Sequence, residues 1–183
     1  MTFERKTIKS PVAIQGKGLH GGQDVRVVVH PSNNSLVFRA GSSRWDAVAE
    51  NVTDTTRCTR LGEVSTIEHL MSALAGLEIS DAEIEVEGGE LPALDGSSVE
   101  FVTALADAGF ESLGQFEVKT PFKRVFHQEG DIKIAIGRGE GHWKYTYDLG
   151  DRWPGSQTSD IDHISDRYAS EVAPARTFAL AEE

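Results

Sequence analysis

The sequence holds one cysteine, Cys58, in 183 residues, and it contains no apolar run of about 18 residues, the length that crosses a bilayer as a helix. A single cysteine excludes an internal disulfide and fits a reducing, cytoplasmic setting. The start, Met1-Thr2-Phe3-Glu4-Arg5-Lys6, lacks the apolar core of a signal peptide. Positive charge is scarce as well: 18 Lys and Arg stand against 29 Asp and Glu, for a net charge of −11. A nucleic-acid partner is therefore not expected, because a phosphate backbone demands clustered Lys and Arg. A phosphorylated small molecule remains compatible, since a few basic groups can hold it.

Several catalytic signatures are missing too. No G-x-S-x-G elbow offers a hydrolase serine, and no H-E-x-x-H places two histidines on one helix face. Gly16-Lys17-Gly18 has neither Walker spacing nor a dinucleotide fingerprint, so its likeness to a phosphate loop is superficial. Nothing near Cys58 promises a lowered thiol pKa, so it reads as a half-buried strand residue. His30, His127, His142 and His163 lie in polar segments or strand ends and read as solvated. His20, inside Gly16-Lys17-Gly18-Leu19-His20-Gly21-Gly22, is the histidine whose glycine-rich setting suggests a cleft.

What is present reads as an α+β chain. Arg5 to Ser10, Val12 to Gln15, Asp24 to His30 and Leu36 to Ala40 carry strand patterns separated by turns, and Val48 to Val52 and Arg57 to Leu61 are shorter candidates. In Ala82 to Glu87, Ile84 and Val86 face one way and Glu83, Glu85 and Glu87 the other. Two helices are predicted. The first opens at Ser65, with Ile67, Leu70, Met71, Leu74 and Leu77 on one face and Gly76 near its end. The second opens at Ser97, with Val99, Val102, Leu105 and Ala106 inward and Gly109 at the stop. In each, a Ser is followed three residues later by Glu, the spacing of a capping box. Together these elements predict a two-layer sheet-and-helices domain over 1–114. From 115 to 183 strands restart: Phe116 to Phe126, Ile132 to Ile136 and Trp143 to Leu149. Gly150 to Asp162 reads as a loop and Val172 to Leu180 as a returning strand. This is the start of a second α+β domain, incomplete as it stands.

Glu68 and His69 sit side by side in the first turn of the first helix. At roughly 100° per residue they project away from the apolar stripe, with Ser72, Ala73 and Gly76 beside them. Glu68 is fully explained as a capping-box partner suited to the helix dipole. Small residues beneath the pair, however, would let another backbone or a ligand come close, which a plain solvated face does not require. Residue types alone leave both readings open.

Four segments in order resemble one family. Gly16 to Gly22, Ser65-Thr66-Ile67-Glu68-His69-Leu70 with Ala73-Leu74-Ala75-Gly76, Leu94-Asp95-Gly96-Ser97-Ser98, and Ala175-Arg176-Thr177-Phe178 are similar to the motifs of the UDP-3-O-acyl-N-acetylglucosamine deacetylases of lipid A biosynthesis. The resemblance implies zinc-assisted hydrolysis of an acetamide to acetate and a free amine on an acylated UDP-glucosamine. It assigns Glu68 as general base, His69 as a zinc ligand and Thr177 as the group that helps polarise the scissile carbonyl. It puts Phe178 near the sugar, the loop of Cys58 at the edge of the site and His20 close by; Asp95 matches a family aspartate, though its Asp-Gly turn also explains it. The family's other two zinc ligands, in a His-Lys-x-x-Asp motif, are not found among the 183 residues, nor are its later general-acid histidine, its phosphate-contacting lysine and the insertion that cradles the acyl chain. The expectation is that these residues are an N-terminal portion, inactive alone. A noncatalytic sugar-nucleotide-binding or regulatory remnant is the alternative.

Overall fold

The computed structural model describes residues 2–117, 125–136, 142–153 and 155–177. Strands β1 (Thr2–Ile8), β2 (Val12–Lys17), β3 (Asp24–Pro31), β4 (Leu36–Ala40), β5 (Ser43–Asp46), β6 (Val52–Asp54) and β7 (Arg60–Leu61) precede helix α1 (Glu68–Gly76). Strand β8 (Ala82–Glu87), helix α2 (Val99–Asp107), β9 (Phe110–Glu117), β10 (Val125–Glu129), β11 (Ile132–Ile136), β12 (His142–Asp148), β13 (Ser156–Asp162) and the short helix α3 (Ile164–Arg167) follow. The fold is α+β, as the alternation of patterns predicts.

The central element is a five-stranded sheet in the order β2-β3-β8-β4-β5. It is antiparallel except where β4 runs parallel to β8. Strand alternation decides its two faces. Val27, Val29, Phe38, Ile84 and Val86 point to one side, where Leu70, Ala73 and Leu74 of α1 and Phe101, Val102 and Leu105 of α2 bury against them in a single cluster. Each fully buried aliphatic or aromatic side chain there contributes roughly 1.5–3 kcal/mol of transfer free energy. The opposite face carries ion pairs across neighbouring strands, Arg26 with Glu87 at 2.9 Å and Arg39 with Glu83 at 3.2 Å, and a 3.1 Å hydrogen bond between His30 Nε2 and Glu85 Oε2. The Glu83, Glu85, Glu87 face read from the sequence is thus a partnered one, and His30 is half-buried against Glu85 rather than simply solvated.

Helix α1 ends in a Schellman motif: Ile79 N donates to Leu74 O at 2.8 Å and Glu78 N to Ala75 O at 3.0 Å. The left-handed residue is Glu78, at φ 57°, so the stop does not use Gly76. Gly76 instead admits Tyr168, whose ring atoms would lie 2.1–2.3 Å from a Cβ at that position. Ser72 Oγ and the Tyr168 hydroxyl share a 2.6 Å hydrogen bond. Small residues on this face do admit a neighbour, as expected, but Ala73 is wholly buried in the core rather than beside them.

Three local expectations are corrected. Residues 48–52 are not a strand: a 3-10 turn over Ala49–Asn51 leads into β6. Ser156–Asp162 is strand β13, not loop, because it pairs along its whole length with β12. Tyr168–Val172 forms a π-helical turn, and 173–177 continue without a strand, where a strand was predicted from Val172. Ala173 N donates to Tyr168 O at 2.8 Å, an i→i+5 bond that winds the chain through Val172 instead of extending it, and Tyr168 and Ala173 both join the main core.

Candidate active site

Neither capping box forms. Ser65 is drawn into a backbone pairing with 89–91: its N–H donates to Gly89 O at 3.0 Å, its O accepts from Leu91 N at 3.1 Å, and its hydroxyl donates to Gly89 O at 3.3 Å. Thr66 then takes the left-handed region at φ 61°, and the chain enters α1 with no side-chain cap. Glu68 is left to reach outward, where its Oε2 accepts from Thr59 N at 3.0 Å. The general-base candidate is therefore tied to the loop that carries Cys58. That loop is itself pinned by an Asx turn in which Thr56 N donates to Asp54 at 2.9 Å, a bond that holds the Asp54 carboxyl below its usual range.

At α2, Ser97 Oγ donates to Asp95 Oδ1 at 2.7 Å and accepts from Val99 N at 3.2 Å, so Asp95 rather than Glu100 is its partner. The Ser97 hydroxyl and N–H bonds keep Asp95 low, which suits a turn-forming role for this aspartate. The same turn gathers the remaining motifs. Ser98 Oγ donates to His69 O at 3.0 Å, linking the start of α2 to α1. Arg176 Nε donates to Asp95 O at 2.7 Å, and Thr177 N to Gly96 O at 2.9 Å. Thr177 is thus fixed by its backbone to the Asp-Gly turn. Phe178 lies outside the described residues.

His20 and Cys58 line one open cleft of about 440 Å³, together with Gly21, Asp54, Arg60, Ser65 and Glu90. Glu68 lines the neighbouring groove, about 360 Å³, with Val52, Leu61, Ile67 and Met71; the Cys58-Thr59 step separates the two. His69 is half-buried beside Glu68. The structure therefore brings His20 and Cys58 together and sets Glu68 next to them, with Thr177 reached through the Asp95-Gly96 turn. Cys58 sits in a bend ahead of β7, not within a strand.

The residue that sequence reasoning missed is Glu90. Only 6% exposed, it accepts from His20 N at 2.9 Å, Gly21 N at 3.0 Å and Thr66 Oγ1 at 3.2 Å. Burial works to raise its pKa, but the bonds from His20 N, Gly21 N and the Thr66 hydroxyl together hold the carboxyl low. Consecutive N–H groups of a glycine-rich turn make an anion-binding nest, and here a side chain of the protein fills it. The signal was available in part: a glycine-rich loop exposes N–H groups that need an acceptor, and Glu90 stands between a Gly-Gly bend and the buried Leu91.

A hydrolytic zinc centre takes three protein ligands and keeps a position open for water. Among the described residues no three His, Cys, Asp or Glu side chains gather as a metal site. His69 is a single donor, so these residues do not by themselves fit the ion.

Residues 5–183 match the protein-family model described as UDP-3-O-acyl N-acetylglycosamine deacetylase. The chain is 35% identical to the UDP-3-O-acyl-N-acetylglucosamine deacetylase of Nitratidesulfovibrio vulgaris, over 99% of this chain and 62% of that protein. Proteins of the same name from Methylococcus capsulatus and Nostoc sp. are 34% and 32% identical, over 97% of this chain and 63% and 70% of their own lengths. The chain thus spans 62–70% of the length of these curated relatives.

Proposed function

The chain belongs to the UDP-3-O-acyl N-acetylglycosamine deacetylase family, and on that premise we propose that its residues serve hydrolysis of the acetamide of UDP-3-O-acyl-N-acetylglucosamine to acetate and the free amine, in the cytoplasm. The observation that carries the reading is the convergence of separated motifs: Glu90 joins the His20 loop to Thr66, and the Asp95-Gly96 turn holds Arg176 and Thr177.

In this reading Glu68 takes the proton of the attacking water, the task of a positioned carboxylate. Its bond from Thr59 N engages Oε2 and fixes the orientation of the group. The Thr177 hydroxyl helps polarise the acetamide carbonyl, and His20 and Cys58 contact the substrate from the cleft. Zinc dependence belongs to the same proposal, with His69 as one ligand. Because the described residues bring one of the three donors required, no step is derived through the ion, and the 183 residues alone are expected not to turn over substrate.

Acetate release tests the reading, measured with the gene product as the cell expresses it and with the 183-residue chain. The cellular product should release acetate, and Glu68→Gln, which keeps an oxygen for Thr59 N, should preserve folding and cut kcat by a factor on the order of a hundred or more. Substrate binding without acetate release would favour the noncatalytic module. Tight one-to-one zinc binding with turnover by the 183-residue chain would overturn its inactivity.

A further inference from the structure

The buried carboxylate of Glu90 sits between the two halves of the candidate site. On one side it receives the successive N–H groups of His20 and Gly21; on the other, the hydroxyl of Thr66. Oε1 is shared by His20 N and Thr66 Oγ1, so one atom links the glycine-rich loop to the turn that launches α1. Backbone pairing of 65 with 89 and 91 holds Glu90 opposite that turn. The loop is shaped to the carboxylate: a Cβ at Gly18 would run into Glu90 Oε2, so a side chain there could be fitted only by moving the carboxylate off its bonds. Thr66 is β-branched, 3% exposed and at φ 61°, a strained conformation that persists only when its surroundings hold it. Glu68 and His69 follow within three positions.

We propose that Glu90 is a positioning residue: it clasps the His20 loop to the strained Thr66 turn, and so fixes His20 against the Glu68–His69 helix start. It touches no reacting atom. Loosening the clasp frees the loop and lets Thr66 relax, which moves both sides of the site while the sheet beneath stays intact. The kinetic consequence rests on the deacetylase reading; the structural one does not.

Amide hydrogen exchange and deacetylation kinetics on the full protein test this with Glu90→Gln, Glu90→Ala, Thr66→Val and Thr66→Ser. Glu90→Gln retains the Oε1 acceptor and loses the Gly21 bond; Thr66→Val removes one bond without touching the carboxylate, so it guards against a Glu90→Ala that fails to fold. Exchange at His20 and Gly21 should rise about tenfold or more in Glu90→Ala, and at Gly21 in Glu90→Gln, with the amides of β3 and β8 unchanged. Thr66→Val should raise exchange at the same two amides by less, and Thr66→Ser, which keeps the hydroxyl, should restore protection. In parallel, kcat of Glu90→Gln should fall about tenfold with little change in KM, the pattern of lost positioning rather than lost binding. Uniform acceleration across the sheet, unchanged His20 and Gly21 exchange, or a freed loop with full kcat would each overturn the proposal. If the wild-type protein releases no acetate, the deacetylase reading fails, and the exchange pattern alone still decides the clasp.

Discussion

Residues 2–117 and 125–177 use the same kinds of strand to opposite effect. In the first region, α1 and α2 cover one sheet face, and the buried cluster draws almost all its members from Ile8 to Leu105. In the second, β10 and β11 pair as a lone hairpin with Val125, Phe126, Ile132 and Ile134 all 51–65% exposed. The β12–β13 hairpin adds Trp143, Tyr145 and Tyr147 as a stacked row, with centroids 6.0 and 6.3 Å apart, on a half-open surface. Hairpin pairing satisfies backbone groups in both regions, but only a covering layer removes the apolar face from water. The motif residues of the first region accordingly sit on or beside the covered sheet, and Arg176 and Thr177 are held to that region through the Asp95-Gly96 turn.

The sharpest way to break this contrast is to truncate one residue in each region. Leu70→Ala, at a fully buried position, should cost about 3 kcal/mol. Ile134→Ala, at a site 51% exposed, should stay within about 0.5 kcal/mol. Urea unfolding of both variants measures the difference; comparable losses would mean that the hairpin is as well covered as the sheet.

Next in size is the ion pair that anchors β1, between buried Asp81 and part-exposed Arg5. Asp81, 1% exposed, is paired with Arg5 and accepts from Ser35 N at 2.8 Å and Ser80 Oγ at 2.6 Å. Burial works to raise its carboxyl, but these partners outweigh that and hold it below its usual range. Asp81→Ala removes the acceptor of Ser35 N and Ser80 Oγ, while Arg5, 36% exposed, can turn to solvent, so it should cost about 1–3 kcal/mol. A lowered folded pKa means the contribution is complete above the unfolded value of about 3.9 and is lost as pH falls through the folded one. Glu90 is lowered as well, so acid should loosen the first region more than the β12–β13 hairpin, where Asp162 is also held low but is exposed and screened. Thermal melts between neutral and acid pH follow this, and an acid transition confined to β10–β13 would reverse the comparison.

How much of this could be read from the sequence follows the same division. The strands β4 and β8 and the apolar stripes of both helices are local patterns, and Leu36–Ala40 and Ala82–Glu87 stand where their alternation places them. The helix starts are different. Ser65 and Glu68 have the spacing of a capping box, yet partners at Gly89 and Thr59 take both side chains, and no local rule anticipates an acceptor 24 residues away. Glu90 was illegible for the same reason: its meaning lies in the His20 loop 70 residues earlier. His20, Cys58 and Glu68 were nameable from a family pattern, whereas the groups that hold them were not.

Gly76 is where the two regions meet, and it gives a prediction of inverted sign. In an exposed helix interior, Gly→Ala stabilises by about 1 kcal/mol. Here the added Cβ would meet the Tyr168 ring at 2.1–2.3 Å, so Gly76→Ala should destabilise by about 1–2 kcal/mol. In a Tyr168→Ala background the ring is gone and the same change should stabilise. A double-mutant cycle on thermal stability resolves the two signs; Gly76→Ala stabilising in both backgrounds would show that Tyr168 does not dock against α1.

The smallest effect belongs to the β12–β13 hairpin and tests whether anything beyond pairing holds it. His142 Nδ1 lies 2.5 Å from Asp162 Oδ1 and its Nε2 lies 3.0 Å from Asp160 Oδ1. The Asp162 hydrogen bond and then the Asp160 charge raise its pKa above the ordinary histidine value, against the opposing charge of Lys144. A raised folded pKa means that this contribution is complete below the unfolded value and is lost as pH rises through the folded one. The groups are exposed and salt screens them, so the change should be a slight local loosening rather than unfolding. Amide exchange across β12–β13, corrected for intrinsic rates and followed upward from pH 6, should show protection falling as His142 deprotonates, with 1 M salt and His142→Gln each flattening the profile. Acid loosens both regions, the first through buried Asp81 and Glu90 and the hairpin more weakly through exposed Asp162, whereas the loss toward base above pH 6 belongs to the hairpin's exposed imidazolium, and that is the signature of the difference in cover. A hairpin whose protection ignores pH would reduce that difference to apolar burial alone.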